Sequence, residues 1–255
     1  MKAAALIAIL AASLATAEVT WTFQKFENGT EVPFTAGPLT SATASTGARL
    51  PPRSHRPTGA VPPSPAPGFT SVTGTWTIPT ISLRSGQSSS SDPAISQWVG
   101  IDGFSDSALI QGGTLSQLVG GRQENVAWTE MLPAASRDVS LTVDTGDSIT
   151  TTVTMTSATS GSVTITNNSR GTSIVGTVSG GTRLSATSAE WILEDFESGS
   201  SLVSFAAFPT STFTGSATRS GTSVSPSGAT LIDLVQNSEL CSATLSGTTV
   251  TVRDS

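Results

Sequence analysis

Asp147-Ser148-Ile149-Thr150-Thr151-Thr152-Val153-Thr154-Met155-Thr156 is followed four residues later by Gly161-Ser162-Val163-Thr164-Ile165-Thr166. Both runs are dominated by β-branched residues, which suit a pleated, half-buried surface, and small polar residues that favour turns flank them. The same texture recurs from Phe69 onward in Ser71–Pro79, Ala94–Asp102, Asn125–Leu132, Ala189–Phe196, Leu202–Phe208, Ala229–Val235 and Thr248–Val252. Short runs separated by regular turn signals, with no sustained helical period, predict an all-β chain folded as an antiparallel β-sandwich.

Composition agrees. The chain has 255 residues, an ordinary length for one sandwich. Charged residues make up only 12%, hydrophobic ones 36%, and Ser and Thr together fill 81 positions. A helical bundle would need more charge and more Leu and Ala.

Absences narrow the chemistry. The single histidine is His55, the only lysines are Lys2 and Lys25, and neither type occurs beyond residue 55. A Ser/His triad, a His-ligated zinc, a phosphate-cradling Lys and a Schiff-base Lys therefore each lack an essential part, and no metal or cofactor is expected. Any acid/base groups in the domain are carboxylates. Cys241 is the sole cysteine, reads as a small buried apolar residue, and allows no intrachain disulfide.

Residues 1–67 carry a net +2 and residues 68–255 a net −8. So acidic a domain repels phosphates and anionic surfaces, so neither nucleic acid nor membrane is an expected partner. Residues 1–17 read as a secretory signal peptide, with Lys2, the apolar stretch Ala3–Leu14 and the small-x-small site Ala15-Thr16-Ala17. The expected location is extracellular, and two sequons, at Asn28 and Asn167, fit that. Residues 18–55 show no sustained period, and half of the fourteen prolines lie in 51–67. The stretch 18–55 is expected to be a pro-segment or linker of low order, held over the domain by opposite charge, and 56–255 the β-sandwich domain.

Alternate side chains of a strand share a face. Trp98 and Asp102 then lie together, as do Trp128 and Glu130, and Glu190, Ile192, Glu194 and Phe196 form a third set. Surface solvation explains each carboxylate singly about as well. Gln111 ends the apolar run Ser107–Ile110 before Gly112-Gly113, where its amide can donate two hydrogen bonds. Asp144-Thr145-Gly146 spells an aspartic-protease signature but, with Asp147 next, reads better as a turn.

The runs Gln97-Trp98-Val99-Gly100-Ile101-Asp102-Gly103, Ala108-Leu109-Ile110-Gln111-Gly112-Gly113-Thr114, Ala127-Trp128-Thr129-Glu130-Met131-Leu132-Pro133 and Ala189-Glu190-Trp191-Ile192-Leu193-Glu194-Asp195-Phe196-Glu197, in this order, resemble the glutamic peptidases (eqolisins), secreted fungal acid endopeptidases. The resemblance spans about residues 59–255. It implies two packed antiparallel sheets of about seven strands each, in the concanavalin or jelly-roll manner, and a monomer acting on protein or peptide substrates. It implies Gln111 and Glu194 as the catalytic pair, with Trp98, Asp102, Trp128 and Glu130 supporting the cleft. Glu194 would activate water, with an unperturbed pKa of about 4.3, and Gln111 would stabilise the oxyanion. One departure stands out: where the family opens its mature chain with Asn-Trp-x-Gly-Ala-Val, Arg56 and Pro57 precede Thr58-Gly59-Ala60-Val61. Two rival readings follow, a catalytically impaired homologue and a carbohydrate-active sandwich. The sugar reading requires Glu130 and Glu194 facing each other with Gln111 remote.

Overall fold

The computed structural model describes residues 19–34, 58–62, 66–105, 107–198 and 201–255. The signal reading of 1–17 and the proline-rich part of the leader lie outside them.

Among the described residues, two large antiparallel sheets form the body of the fold, with a small two-stranded one beside them. The larger has eleven strands, in the spatial order β18 (Leu234–Val235), β19 (Glu239–Ser246), β20 (Thr249–Asp254), β15 (Ser211–Arg219), β4 (Phe69–Thr77), β9 (Ser148–Ser157), β10 (Ser160–Asn167), β11 (Thr172–Ser179), β1 (Thr20–Glu27) and β2 (Thr30–Val32), with β16 (Thr222–Val224) beside β15. The smaller has seven, in the order β17 (Thr230–Ile232), β3 (Thr58–Val61), β12 (Ala189–Glu194), β5 (Ala94–Asp102), β6 (Leu109–Val119), β7 (Arg122–Met131) and β8 (Arg137–Val139).

The expected seven strands become eleven in the larger sheet through the short strands β16 and β18 and an N-terminal hairpin, β1 and β2, drawn from the leader. Residues 20–32 were expected to have low order, but β1 pairs with β11 along its whole length, Thr20↔Ser179 to Glu27↔Thr172. The described part of the leader, residues 19–34, extends a sheet edge. Leu202–Phe208 also departs from expectation. It keeps only the two-residue strand β14 (Ser201–Leu202), paired with β13 (Glu197–Ser198), and isolated bridges at Phe205 and Ala207.

Alternation in the larger sheet explains the hydroxyl-rich composition. Val72, Trp76, Ile149, Val153, Val163 and Ile165 fill the core between the sheets. The intervening residues build outward ladders, with hydroxyl pairs Thr73–Thr152 at 3.0 Å and Thr75–Thr150 at 2.7 Å. Such cross-strand Thr pairs stabilise a sheet without charge. Between the sheets, Trp76 Nε1 donates to Thr114 Oγ1 at 3.0 Å, and Trp191 Nε1 donates to the Thr73 carbonyl at 2.9 Å. Trp191 fits because Gly74 and Gly215 face it: a Cβ at either would lie within 3.0 Å of its ring.

Asp144-Thr145-Gly146-Asp147 is a tight turn. Asp147 N donates to the Asp144 carbonyl at 3.0 Å, and Gly146 has φ +88°. Arg170 bridges both carboxylates, so the motif serves the turn.

Candidate active site

Strand register assembles the site on the outer face of the smaller sheet. One row across it reads Glu190–Gly100–Gln111–Glu130, through the pairs Glu190↔Gly100, Gly100↔Gln111 and Gln111↔Glu130. The next reads Ile192–Trp98–Gly113–Trp128, and beyond it Glu194 opposes Ser96. Neighbours in a row share a face, as do residues two apart along a strand. Gln111, Glu130, Trp98, Trp128 and Glu194 therefore all lie on this face, while Val99, Ile101, Ile110 and Trp191 point into the core. An apolar cluster of Val61, Trp98, Leu109, Leu132 and Ile192, with Trp128, Phe104 and Ile232 against it, dries the same surface.

Two hydrogen bonds organise the polar groups. Gln111 Nε2 donates to Glu130 Oε2 at 2.5 Å, with both residues buried. Trp98 Nε1 donates to Glu194 Oε2 at 2.8 Å. The opposite atoms, Gln111 Oε1 and Glu130 Oε1, are buried with no hydrogen-bond partner among the described residues.

Burial decides the protonation. Desolvation pushes Glu130 up to about 8, against the bond from Gln111, and the charge of Glu194 adds to the rise. Glu194 is partly exposed, yet enough protein surrounds it that desolvation raises it to about 7, with Trp98 opposing and Asp195 and Glu197 reinforcing. Glu194 therefore departs from the unperturbed value assumed from sequence, because local dielectric is not written in residue order.

Asp102 is placed differently from the other expected residues. It has φ +71° at the end of β5, and its carboxylate accepts backbone N–H bonds from Ser185, Ala186 and Thr187, each at 2.8 Å. Its carboxylate is thus taken up in anchoring the 185–187 loop. Sequence reasoning missed Asp195, which is buried, accepts a hydrogen bond from Gln236 and is raised to about 7, first by desolvation. The only signal was its adjacency to Glu194.

A buried amide and carboxyls on a dry, Trp-lined sheet face, with no histidine beyond residue 55, mark the class of a glutamic-type endopeptidase. The comparisons agree: the Peptidase A4 family matches residues 56–254, and the chain belongs to it. The chain is 42% identical to Aspergillopepsin-2 of Aspergillus niger over 205 residues, covering 72% of this chain and 73% of that protein. It is 37% identical to Scytalidopepsin B of Scytalidium lignicola over 195 residues, covering 71% and 72%. Among solved structures, scytalido-glutamic peptidase with a transition state analog inhibitor superposes with a TM-score of 0.71 at 34% identity, covering 79% of this chain and 98% of that one. Aspergilloglutamic peptidase from Aspergillus niger gives 0.63 at 44% identity, covering 64% and 100%.

Proposed function

We infer that the protein is a secreted acid endopeptidase in which Glu194 activates a water molecule for attack on a peptide carbonyl and Gln111 stabilises the oxyanion. The observation that carries this reading is the common face of Gln111 and Glu194, with the indole of Trp98 bonded to Glu194 at 2.8 Å. Glu194 as carboxylate takes the proton of the attacking water, then returns it to the leaving amine, so one group serves both halves of the reaction. The Gln111 amide has no proton to lose and donates equally at any pH.

Low pH suits the rest of the site. Glu130, raised to about 8, is neutral in acid. No second negative charge then opposes an oxyanion forming beside Gln111. The opposing demand is that Glu194 be ionised, which hydrogen bonds from Trp98 and from the bound water both favour.

The charge-free ladders and the signal-like residues 1–17 support export. The leader 18–55 supports synthesis as a precursor, and the chain is proposed to act as a monomer. The substrates are peptides, a reading supported by the peptide based transition state analog solved with the related Scytalido-glutamic peptidase. The sugar-hydrolase arrangement needed Gln111 remote from the carboxylates, and Gln111 is bonded to Glu130.

Digestion of a denatured protein at acidic pH tests the assignment. Glu194→Gln loses the base, and the expected drop is about 10²–10⁴-fold. Gln111→Leu loses one oxyanion donor, about 10²–10³-fold in kcat. Activity retained in folded Glu194→Gln removes the reading. The Arg56-Pro57 departure favours a second reading, an impaired homologue, which predicts no wild-type hydrolysis in the same assay.

A further inference from the structure

The family match begins at residue 56, so the β1–β2 hairpin is an addition to the family domain. It is seated on an edge that fits it closely. All eight residues of β1 pair with β11. Trp21, Phe23 and Lys25 oppose Val178, Gly176 and Ile174, the inward-facing row of β11.

The rings of Trp21 and Phe23 stack, with centroids 5.8 Å apart and planes 4° apart, and Phe34 tilts onto Phe23 at 6.3 Å. Beneath them is Gly176. A Cβ there would lie 2.7 Å from Phe23 Cε1 and 3.1 Å from Trp21 Cζ3, and its three nearest neighbours all belong to the hairpin. Glycine inside a strand weakens the strand itself and marks close approach by another group.

The hairpin turn is seated too. Asn28 N donates to the Gly171 carbonyl at 2.7 Å, and a Cβ on Gly171 would stand 2.5 Å from Asn28 Oδ1. Charge contributes little: Lys25 pairs within the hairpin with Glu27 at 2.9 Å, and Gln24 with Glu31 at 3.1 Å. Val19, Trp21, Phe23 and Phe34 pack against the core between the sheets, whereas the apolar cluster of the site face contains none of them.

We propose that the β11 edge, with Gly176 and Gly171 as its seats, is a strand-docking site for residues 19–34, and that the hairpin stays bound without a covalent link once the chain between it and β3 is cut. The mature protein is then a two-piece complex. The backbone ladder and the stacked rings hold the pieces, because Cys241 is the only cysteine and no disulfide can. The hairpin also caps an edge whose free N–H and C=O groups would otherwise template another strand.

The test uses the full chain with a site-specific protease sequence inserted between residues 40 and 50. After complete cutting, size-exclusion chromatography at micromolar concentration is read by mass spectrometry. The N-terminal fragment is expected to co-elute with the domain. In Phe23→Ala, and in Gly176→Val, its release is expected at least tenfold faster, with the domain's circular dichroism unchanged in Phe23→Ala. Should Gly176→Val fail to fold, Phe23→Ala alone decides the role of the seat. Wild-type fragment that separates at once overturns the proposal, whether the remaining domain stays monomeric or pairs with a second copy through β11. Retention that is indifferent to Phe23→Ala overturns the Gly176 seat. Neither readout depends on catalysis, so failure here is distinct from failure of the peptidase assignment.

Discussion

Removing the indole N–H of Trp98 while keeping an aromatic ring, as Trp98→Phe, isolates one interaction. The bond to Glu194 Oε2 is 2.8 Å long and favours the ionised carboxylate. A hydrogen bond to a charged group contributes about 1.5–3 kcal/mol. At about 1.36 kcal/mol per pKa unit, its loss raises the apparent pKa of Glu194 by about 1–2 units. The base form is lost as pH falls, so the acid limb of kcat/KM moves to higher pH by that amount. Activity well above the limb stays within a few-fold of wild type. The assay is kcat/KM against pH with a fluorogenic peptide. Glu130→Gln is the control: burial raises Glu130 and keeps it neutral in acid, so this change is expected to leave the acid limb in place. An acid limb that stays put in Trp98→Phe, with activity lost evenly across pH, refutes the reasoning and assigns the indole to substrate binding.

Three further outcomes follow from the same physics. Glu130, Glu194 and Asp195 have folded values of about 8, 7 and 7, so between about pH 4.5 and 8 the native state holds more protons than the unfolded chain. The midpoint of urea unfolding is expected to fall as pH rises through that window, and Glu130→Gln to flatten the slope; a midpoint that rises contradicts the burial of these groups. Asn167→Ala removes a buried amide that donates to the Thr142 carbonyl at 2.9 Å and to Asp147 Oδ2 at 2.6 Å, with an expected loss of about 2–3 kcal/mol in the same assay. Gly113→Ala puts a Cβ 2.0 Å from the Gln97 carbonyl, so β5 and β6 cannot keep their register and little soluble protein is expected on expression.

The legible parts of the fold were those where one strand carried its own pattern. Ala94–Asp102 is legible with the bounds it has as β5, and parity groups Trp128 with Glu130 within one strand; that they share a face with Trp98 and Glu194 follows only from the register between strands. For Asp102 parity carries no information on partners: it ends β5 with φ +71°, and sequence gives no sign of the three backbone donors that claim its carboxylate. Leu202–Phe208 looked like a strand because Phe205, Ala206 and Phe208 are apolar, but they are buried by a segment that crosses the core edge through single bridges. The hairpin was missed despite two local signals. Val19, Trp21 and Phe23 alternate with polar residues, and Asn28-Gly29 supplies the two positive φ values, +48° and +77°, of a two-residue turn. The proline-rich composition farther along the leader outweighed them.

The carboxyls of the site pose a problem that sequence could state but not solve. Among the described residues, no salt bridge reaches Glu130 or Glu194, and no lysine occurs beyond residue 55 to supply one. Buried charge without a counter-ion is costly and is normally relieved by neutralisation. Here the proton takes the place that Arg or Lys holds in other buried networks, and bulk pH sets how much of it is present. Under the proposed mechanism, stability and catalysis then pull in opposite directions on Glu194: the fold favours its protonated form, and the proposed attack on water needs the ionised one. Trp98 is the group that shifts this balance toward ionisation without introducing a fixed positive charge. A lysine in its place would ionise Glu194 more fully, but it would also lower its basicity and remove the apolar wall that keeps the face dry. A neutral donor on an aromatic ring satisfies both demands, which is why the position calls for tryptophan.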